Sequence, residues 1–519
     1  MSKAKWLFMF LLALCMAVPT FAVELSLGGF PSYMRTRARY IGNATFISAL
    51  SNQNAIDLGF SSNKDNIFFA DTTLRLTPQL VLSDAVTIRA QLNVFDNNIW
   101  GGSTTELLGG HNTVVNSSLS FSDRFRGAIL TGPLAIDDPG FFDVRMLHAD
   151  IVLPHNIGFV RVGRQPFDWG LGILANGGWD PYSDLGFVLD RFLYLKSFAA
   201  GSSSITFVLV SDIFAGGNSV VTGQGNGYDV AAAALIFNSP NVAGGNLTIG
   251  GYVFPYIHQN DFLTFPTSGT DPGVPPNAGA GVSGVNLDHL VLYSGLIDYK
   301  TDLWRLVGEM QGAWGKIKID GVGDVDIDAS NIIFAARAEV YPGWPMKIIA
   351  AEFGWSKGDD LASDGIEGGV IFFNPAYNID NLLFKNMIPN IYQVESSVYN
   401  AYYARVWGTV KLIDELSFTP QVIVAFNEET SNPYPGIDSL DTYLGTEVEG
   451  TFTWHMYPGV NLDLIGGIVF PGSSLDALLE AQAANTLAAN QVESDGVDFN
   501  ETPFTVQGRL MIFIDQFFK

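Results

Sequence analysis

Val86-Thr-Ile-Arg-Ala-Gln-Leu-Asn-Val-Phe95 is the stretch that decides the fold of this chain. Val86, Ile88, Ala90, Leu92 and Val94 fall on one face; Thr87, Arg89, Gln91 and Asn93 fall on the other. Strict alternation of this kind marks a β-strand with one apolar and one polar face. Strands of soluble proteins average about 5–6 residues, whereas a tilted strand that crosses a bilayer needs about 9–11. The same dyad recurs. Trp304, Leu306, Gly308 and Met310 alternate with Arg305, Val307, Glu309 and Gln311; Phe334, Ala336, Ala338 and Val340 alternate with Ala335, Arg337 and Glu339; Tyr402, Ala404, Val406 and Gly408 alternate with Tyr403, Arg405 and Trp407. Two features separate these strands from those of a soluble sandwich. Glycine and alanine are frequent on the apolar face, which suits lipid contact but fills a sandwich core poorly. Aromatic residues sit at strand ends (Trp304 and Trp314, Tyr341 and Trp344, Trp454 and Tyr457), where a membrane barrel carries its interfacial girdles.

Composition removes other classes. The 519 residues carry 27 Lys+Arg against 52 Asp+Glu, a net charge of −25, which gives no electrostatic footprint for nucleic acid. A hydrophobic fraction of 47% with 38 Phe is too apolar for a disordered chain. The single cysteine, Cys15, excludes a disulfide scaffold, a Cys-rich zinc site and a haem-attachment motif. Lys3 and Lys5, the apolar run Trp6–Val18 and the small-x-small triplet Thr20-Phe-Ala22 read as an export signal cleaved after residue 22, leaving 23–519 as one barrel domain. The run is shorter than the roughly 20 apolar residues a spanning helix needs, and no later stretch reaches that length.

Strand-like segments number eighteen, with sixteen as the alternative count because 142–153 and 203–211 alternate weakly. Connections are alternately short and long. The short ones carry turn residues, as in Pro154-His-Asn-Ile-Gly158, Pro342-Gly343 and Pro458-Gly459. Among the long ones, 96–141 is expected to fold inward as a constriction, 357–397 holds an apolar patch at Leu382–Phe384, and 471–503 is expected to hold a helix capped by Ser473 and Asp476. Pro420 inside a strand predicts a bulge, because proline removes a ladder donor. The fold class is therefore all-β: a transmembrane antiparallel β-barrel with long external loops and short periplasmic turns.

The leader, the amphipathic strands and the C-terminal strand Phe504–Phe518 resemble Gram-negative outer-membrane porins. That family usually ends on an aromatic residue; here Lys519 follows Phe517-Phe518. Arg35-Thr-Arg-Ala-Arg39 and Val162-Gly-Arg-Gln165, running into Asp168-Trp-Gly170, are similar to segments of alginate-export-type barrels. The resemblance implies a chain set among the lipids of the Gram-negative outer membrane, as a monomer or homotrimer, with small polar or anionic solutes as partners and no cofactor or metal.

The alternation sends Arg35, Arg37, Arg39, Arg75, Arg89, Arg161, Arg305, Arg337, Arg405 and Arg509 inward as pore-lining residues, with Glu309 and Glu339. A cation on the lipid face would cost about 2–4 kcal/mol at the midplane. Two roles are open to these groups: arginines that offer planar donors to passing anions, or arginine–carboxylate pairs that brace the wall. Arg35, Arg37 and Arg39, three like charges on one face, read as a solute-facing strip. Enzyme readings find no support: the six histidines are scattered, and no HExxH, GxSxG or GxxxxGK motif occurs. Three functions remain: a diffusion porin for small hydrophilic solutes, a dedicated channel for an anionic polysaccharide or organic acid, and a non-conducting structural or adhesive barrel.

Overall fold

A computed structural model describes residues 24–27, 30–42, 67–99, 143–183, 186, 188–214, 228–263, 285–319, 323–359, 368, 371–374, 376–388, 398–431, 440–478 and 502–517. The leader expected over 1–22 lies outside them. The strands are β1 (Glu24–Leu27), β2 (Tyr33–Gly42), β3 (Ile67–Leu76), β4 (Pro78–Ser83), β5 (Val86–Ile99), β6 (Asp143–Val152), β7 (Phe159–Pro166), β8 (Val188–Ala200), β9 (Ser203–Phe214), β10 (Tyr228–Val242), β11 (Gly245–Leu263), β12 (Val285–Lys300), β13 (Trp304–Ile319), β14 (Gly323–Val340), β15 (Met346–Ser356), β16 (Ala401–Ile413), β17 (Leu416–Asn427), β18 (Tyr443–Tyr457), β19 (Val460–Pro471) and β20 (Phe504–Phe513).

Each barrel strand pairs antiparallel with its neighbours, and β20 pairs with β2 from Tyr33↔Phe513 to Gly42↔Phe504, so the sheet closes on itself. β3 and β4 form one stave interrupted at Thr77, where Pro78 has no N–H for the ladder and the Thr77 N–H turns to Ser32 Oγ at 2.9 Å. β1 pairs only with β4 and continues the line of β2. The barrel therefore has the eighteen staves that the alternation predicts, and the sixteen-strand count is set aside. Past Pro78 the strand runs on to Ser83, and the turn into β5 is Asp84-Ala85. The bulge expected at Pro420 is absent. Pro420 faces Gly450 in unbroken register with β18, and on the β16 side it falls in a gap between the pairs Trp407↔Gln421 and Val410↔Phe418.

The short turns gather at one rim. Gly244 and Gly459 take φ of +82° and +79° there, a region open to glycine at no steric cost. Outward positions are apolar and exposed, as in Leu235, Ile249, Val253, Ile297, Leu306, Val406, Leu464 and Val506. Trp304, Trp344, Trp454 and Tyr457 are exposed beside the short-turn rim. This is the exterior of a membrane-spanning barrel, where lipid makes contact with side chains and the closed sheet presents no open edge. Among the described residues no helix is long and apolar enough to cross a membrane; the strands do so.

Candidate functional site

The lumen is narrowed by two segments that enter it from the long-loop rim. The first is 167–187, between β7 and β8. Gly170 and Gly172 adopt φ of +57° and +84°, and this lets successive N–H groups turn toward one point. Glu309 of β13 occupies that point: its Oε2 accepts Leu171 N at 2.6 Å, Gly172 N at 3.0 Å and Ile173 N at 3.5 Å. Gln311 Nε2 donates to the other Glu309 oxygen at 2.5 Å, and the Tyr252 hydroxyl donates to Gln311 at 2.5 Å. The far end of the segment is held by arginines. Arg35 donates to the carbonyls of Pro181 and Ser183 at 3.0 and 2.9 Å, Arg75 to Gly178 at 3.0 Å, and Arg145 to Gly177 at 2.6 Å. The Arg509 guanidinium lies 4.1 Å over the Tyr182 ring. Since β2 and β13 are eight strands apart along the shorter arc of the cylinder, the segment crosses the lumen. Within it, Asp168 accepts Gly177 N at 2.6 Å and the Trp179 indole N–H; burial raises the Asp168 pKa, and these bonds oppose the rise.

The second segment is 371–388. It meets the first at Asn374, whose backbone N–H donates to Ile173 O at 2.6 Å and whose side chain donates to Leu174 O at 2.7 Å. Gln421 and Arg405 hold the Ile379 carbonyl at 2.6 and 3.2 Å, and Glu449 and Glu447 accept Asn381 N and Leu383 N at 2.6 and 2.8 Å. Asp380 caps the single π-turn Leu383–Met387 through Phe384 N and Lys385 N. Phe373, Leu382, Leu383 and Phe384 are buried against Tyr403, Ile423, Leu444 and Val469 of the wall. The apolar patch seen in the sequence is thus lodged inside the barrel. Residues 473–478 are helical, and Leu475 and Leu478 belong to the same buried cluster. The 96–141 connection lies outside the described residues except for 96–99, which extend β5; the crossing segment that is described is the shorter 167–187.

All twelve residues singled out in the sequence point into the barrel, and nearly all are paired. The reading of Arg35, Arg37 and Arg39 as a solute-facing strip is corrected. They are only 1%, 3% and 5% exposed, because Arg37 and Arg39 close on Asp71 at 2.8 and 2.7 Å while Arg35 is covered by the 167–187 segment. Arg37 stands directly opposite Arg509 across the β2–β20 seam; Asp71 flanks it on β3, and Asp463 flanks Arg509 on β19 at 2.8 Å. Arg75 bonds Asn93 at 2.9 Å. Arg89 and Arg161 share Asp150 at 2.5 and 2.6 Å. Arg305 grips Asp298 through two bonds of 2.9 and 2.7 Å, with Glu339 at 3.8 Å. Arg337 and Arg405 meet on Glu352 at 2.6 and 3.0 Å, and Glu339 accepts the Tyr341 hydroxyl at 2.5 Å. Below the two inner segments, the side chains of Arg89, Arg161, Arg305, Arg337 and Arg509 keep 26%, 24%, 27%, 19% and 16% exposure.

Sequence reading missed Arg145, Arg191 and Asp212. Arg191 and Asp212 form a buried pair at 2.5 and 2.7 Å across β8 and β9. Alternation hides them because both faces of these strands are apolar: Leu193, Leu195, Val208 and Val210 share the inward face with them. The crossing segment did carry a signal. Gly170-Leu-Gly172 and Gly177-Gly178 supply the conformational freedom that a run of converging N–H groups requires.

No family model matches this chain, and no curated protein does. Among solved structures it is similar to OccK9 (OpdG) of Pseudomonas aeruginosa, 8% identical with a TM-score of 0.45 over 95% of this chain and 98% of that one. It is also similar to OccAB2 of Acinetobacter baumannii, 11% identical with a TM-score of 0.43 over 95% and 97%. OmpT, an outer membrane protein of Vibrio cholerae, is 9% identical with a TM-score of 0.33 over 95% and 99%. Likeness at this level carries no functional inference.

Proposed function

We propose that the chain is an outer-membrane channel that passes small hydrophilic solutes through a water-filled lumen narrowed by the 167–187 and 371–388 segments. One observation supports this above others: beneath those segments the inward ionic rows keep partial exposure, from 16% at Arg509 to 27% at Arg305. Charged side chains at membrane depth are tolerated where they line an aqueous path. On this reading the mature chain begins after the leader 1–22, sits in the outer membrane of a Gram-negative cell as a monomer or homotrimer, and has its short turns in the periplasm.

A second reading is a dedicated path for an anionic polysaccharide or organic acid, as in alginate-export-type barrels. It is favoured by Arg89 and Arg161, two guanidinium groups that share the single carboxylate of Asp150 and keep 26% and 24% side-chain exposure. Planar-bilayer recordings of the refolded mature chain separate these readings. The channel reading expects ohmic steps in potassium chloride. Block by micromolar polymannuronate would move the assignment to the second reading. A correctly folded barrel that carries no current would remove both and leave a structural or adhesive role.

A further inference from the structure

The lipid face of the barrel is not uniform. On β12–β15 small outward residues adjoin one another. Ala351 stands opposite Ala338 and Gly308 opposite Ala336, while Gly295 stands opposite Met310, the next outward residue after Gly308. Together they make the floor of a diagonal trough. Leu306 and Ile297 wall it on one side; Met310, Phe334 and Phe353 wall it on the other, around a hollow of about 1090 Å³. Ile297, Leu306, Met310 and Phe353 are exposed, so the hollow opens outward. Glu309, Arg337 and Glu352 alternate with these residues along the strands, and their side chains are engaged inside the lumen.

The chain itself does not call for glycine on this floor. At Gly312, two residues beyond Met310, the Tyr293 ring fills the place a Cβ would take. At Gly295 a Cβ would meet nothing within 4 Å, and at Gly308 nothing closer than 3.7 Å. Neither has a positive φ, and the register runs unbroken through both. A glycine inside a strand weakens it, and one that serves no bulge or bend marks the close approach of another molecule. Depth and charge name that molecule. Gly308 lies four residues above Trp304 at the short-turn rim, so the trough is at hydrocarbon depth on that side of the bilayer. From Ala351 to Gly295 the floor crosses three strand intervals and climbs four residues, roughly 20 Å at the usual strand spacing and rise, against about 15 Å of hydrocarbon in one leaflet. Lys347 stands at the rim, four residues before Ala351 on the same strand. It is the extra residue of a bulge (Met346↔Val410, Ile348↔Thr409) and shares the exposed parity of Ile349, Ala351 and Phe353. Among the described residues Lys347 has no ion pair, whereas Lys411 on the next strand is engaged by Asp414 at 3.4 Å.

We propose that the trough is a binding site for one anionic glycerophospholipid of the leaflet on the short-turn side, with an acyl chain lying along Ala351, Ala336 and Gly308 and the phosphate at Lys347. An ammonium at the water–lipid boundary attracts the headgroup. Within hydrocarbon there is no hydrophobic gain in covering the floor, so the chain is held by close packing on bare backbone between the two apolar walls. The site belongs to the outer wall and does not depend on what the lumen passes.

The test uses the full mature chain folded in detergent, with heat-modifiable gel migration to confirm that each variant is folded. Palmitoyl-oleoyl-phosphatidylglycerol is titrated in, and bound lipids are counted by native mass spectrometry. A first lipid should bind saturably, ahead of the rest. Ala336→Leu, which fills the trough with a side chain suited to lipid contact, should weaken that first lipid about five- to tenfold; Gly308→Val is the second filling variant. Gly508→Leu makes a like change on the lipid face of β20, six strands away, where a Cβ also meets nothing within 4 Å, and should leave the first lipid unchanged. Lys347→Gln should weaken phosphatidylglycerol about two- to fivefold and leave palmitoyl-oleoyl-glycerol, which lacks the phosphate, unaffected. Stepwise binding with no distinct first lipid, equal losses in Ala336→Leu and Gly508→Leu, or phosphatidylglycerol binding indifferent to Lys347→Gln would each overturn the proposal. So would an oligomer that dissociates in Ala336→Leu while lipid binding stays the same, since the trough would then seat a second copy of the chain. Bilayer recordings decide the channel reading separately: loss of the lipid site with conductance intact removes only this proposal.

Discussion

Replacing Glu309 by alanine should release the crossing segment from the wall. The carboxylate accepts two short backbone bonds, from Leu171 at 2.6 Å and Gly172 at 3.0 Å, and a long third from Ile173. Hydrogen bonds to a charged group contribute about 1.5–3 kcal/mol each, so the two short ones amount to roughly 3–6 kcal/mol. Glu309 is fully buried, and the alanine variant no longer bears the cost of desolvating a carboxylate, so the lower figure applies. About 3 kcal/mol is roughly a hundredfold in the ratio of docked to released segment, at 1.4 kcal/mol per tenfold. Arg35, Arg75 and Arg145 still hold residues 177–183, so the release is confined to the end near β13. Single-channel recordings should show openings to a larger level, occupied about a hundredfold more often than in the parent chain. Glu309→Gln keeps an acceptor without the charge and should fall between, since neutral bonds contribute about 0.5–1.5 kcal/mol. Identical conductance levels and occupancies in the folded alanine variant would refute the assignment of Glu309 as the anchor.

Gly170→Ala should act in the same direction, because the new Cβ would lie 2.6 Å from the Glu309 oxygen at a φ of +57°; a conductance histogram unchanged by it would contradict the docking geometry. Asp71→Asn leaves Arg37 and Arg39 without their shared carboxylate and should destabilise the barrel by about 3–5 kcal/mol, read as a lower urea midpoint of unfolding in detergent. The 371–388 segment should be held less firmly as pH rises. Burial, reinforced by Glu449, pushes the Asp380 carboxyl from its ordinary 3.8 up to about 7. Between those values the docked segment keeps a proton that the released one has given up, so stability is greatest at the acid side, falls as pH rises toward 7, and is level above it. Hydrogen exchange of residues 376–388, corrected for intrinsic rates, should show more protection at pH 5 than at pH 7.5, and Asp380→Asn should reduce that difference; protection that grows with pH would count against the buried placement of Asp380.

The barrel was legible because its driving pattern is local. Lipid outside and water inside impose period two on each strand separately, so Val86–Phe95 can be read without knowing its neighbours. Direction could be read the same way, and Arg89, Arg305 and Arg405 point inward. Pairing could not. Whether Arg37 faces a solute or Asp71 depends on the register between β2 and β3, which no single strand encodes. The occupants of the lumen were hidden for a related reason. The inner faces of β16–β19 are apolar where Phe384 and Leu382 pack, and those of β8–β11 where Trp169 packs, so the alternation fades where an inner segment takes the place of water. Length pointed to 96–141 as the constriction, but an inward segment is set by its anchors, and Gly170-Leu-Gly172 meets Glu309 from 137 residues away in the case of Gly172.

The seam between the first and last staves sets two arginines opposite each other, Arg37 and Arg509, each with a carboxylate on the strand at its other side. Without Asp71 and Asp463 two like charges would meet at the seam; with them each guanidinium has a carboxylate beside it. Closure of the cylinder therefore draws on β3 and β19 as well as on the two strands it joins.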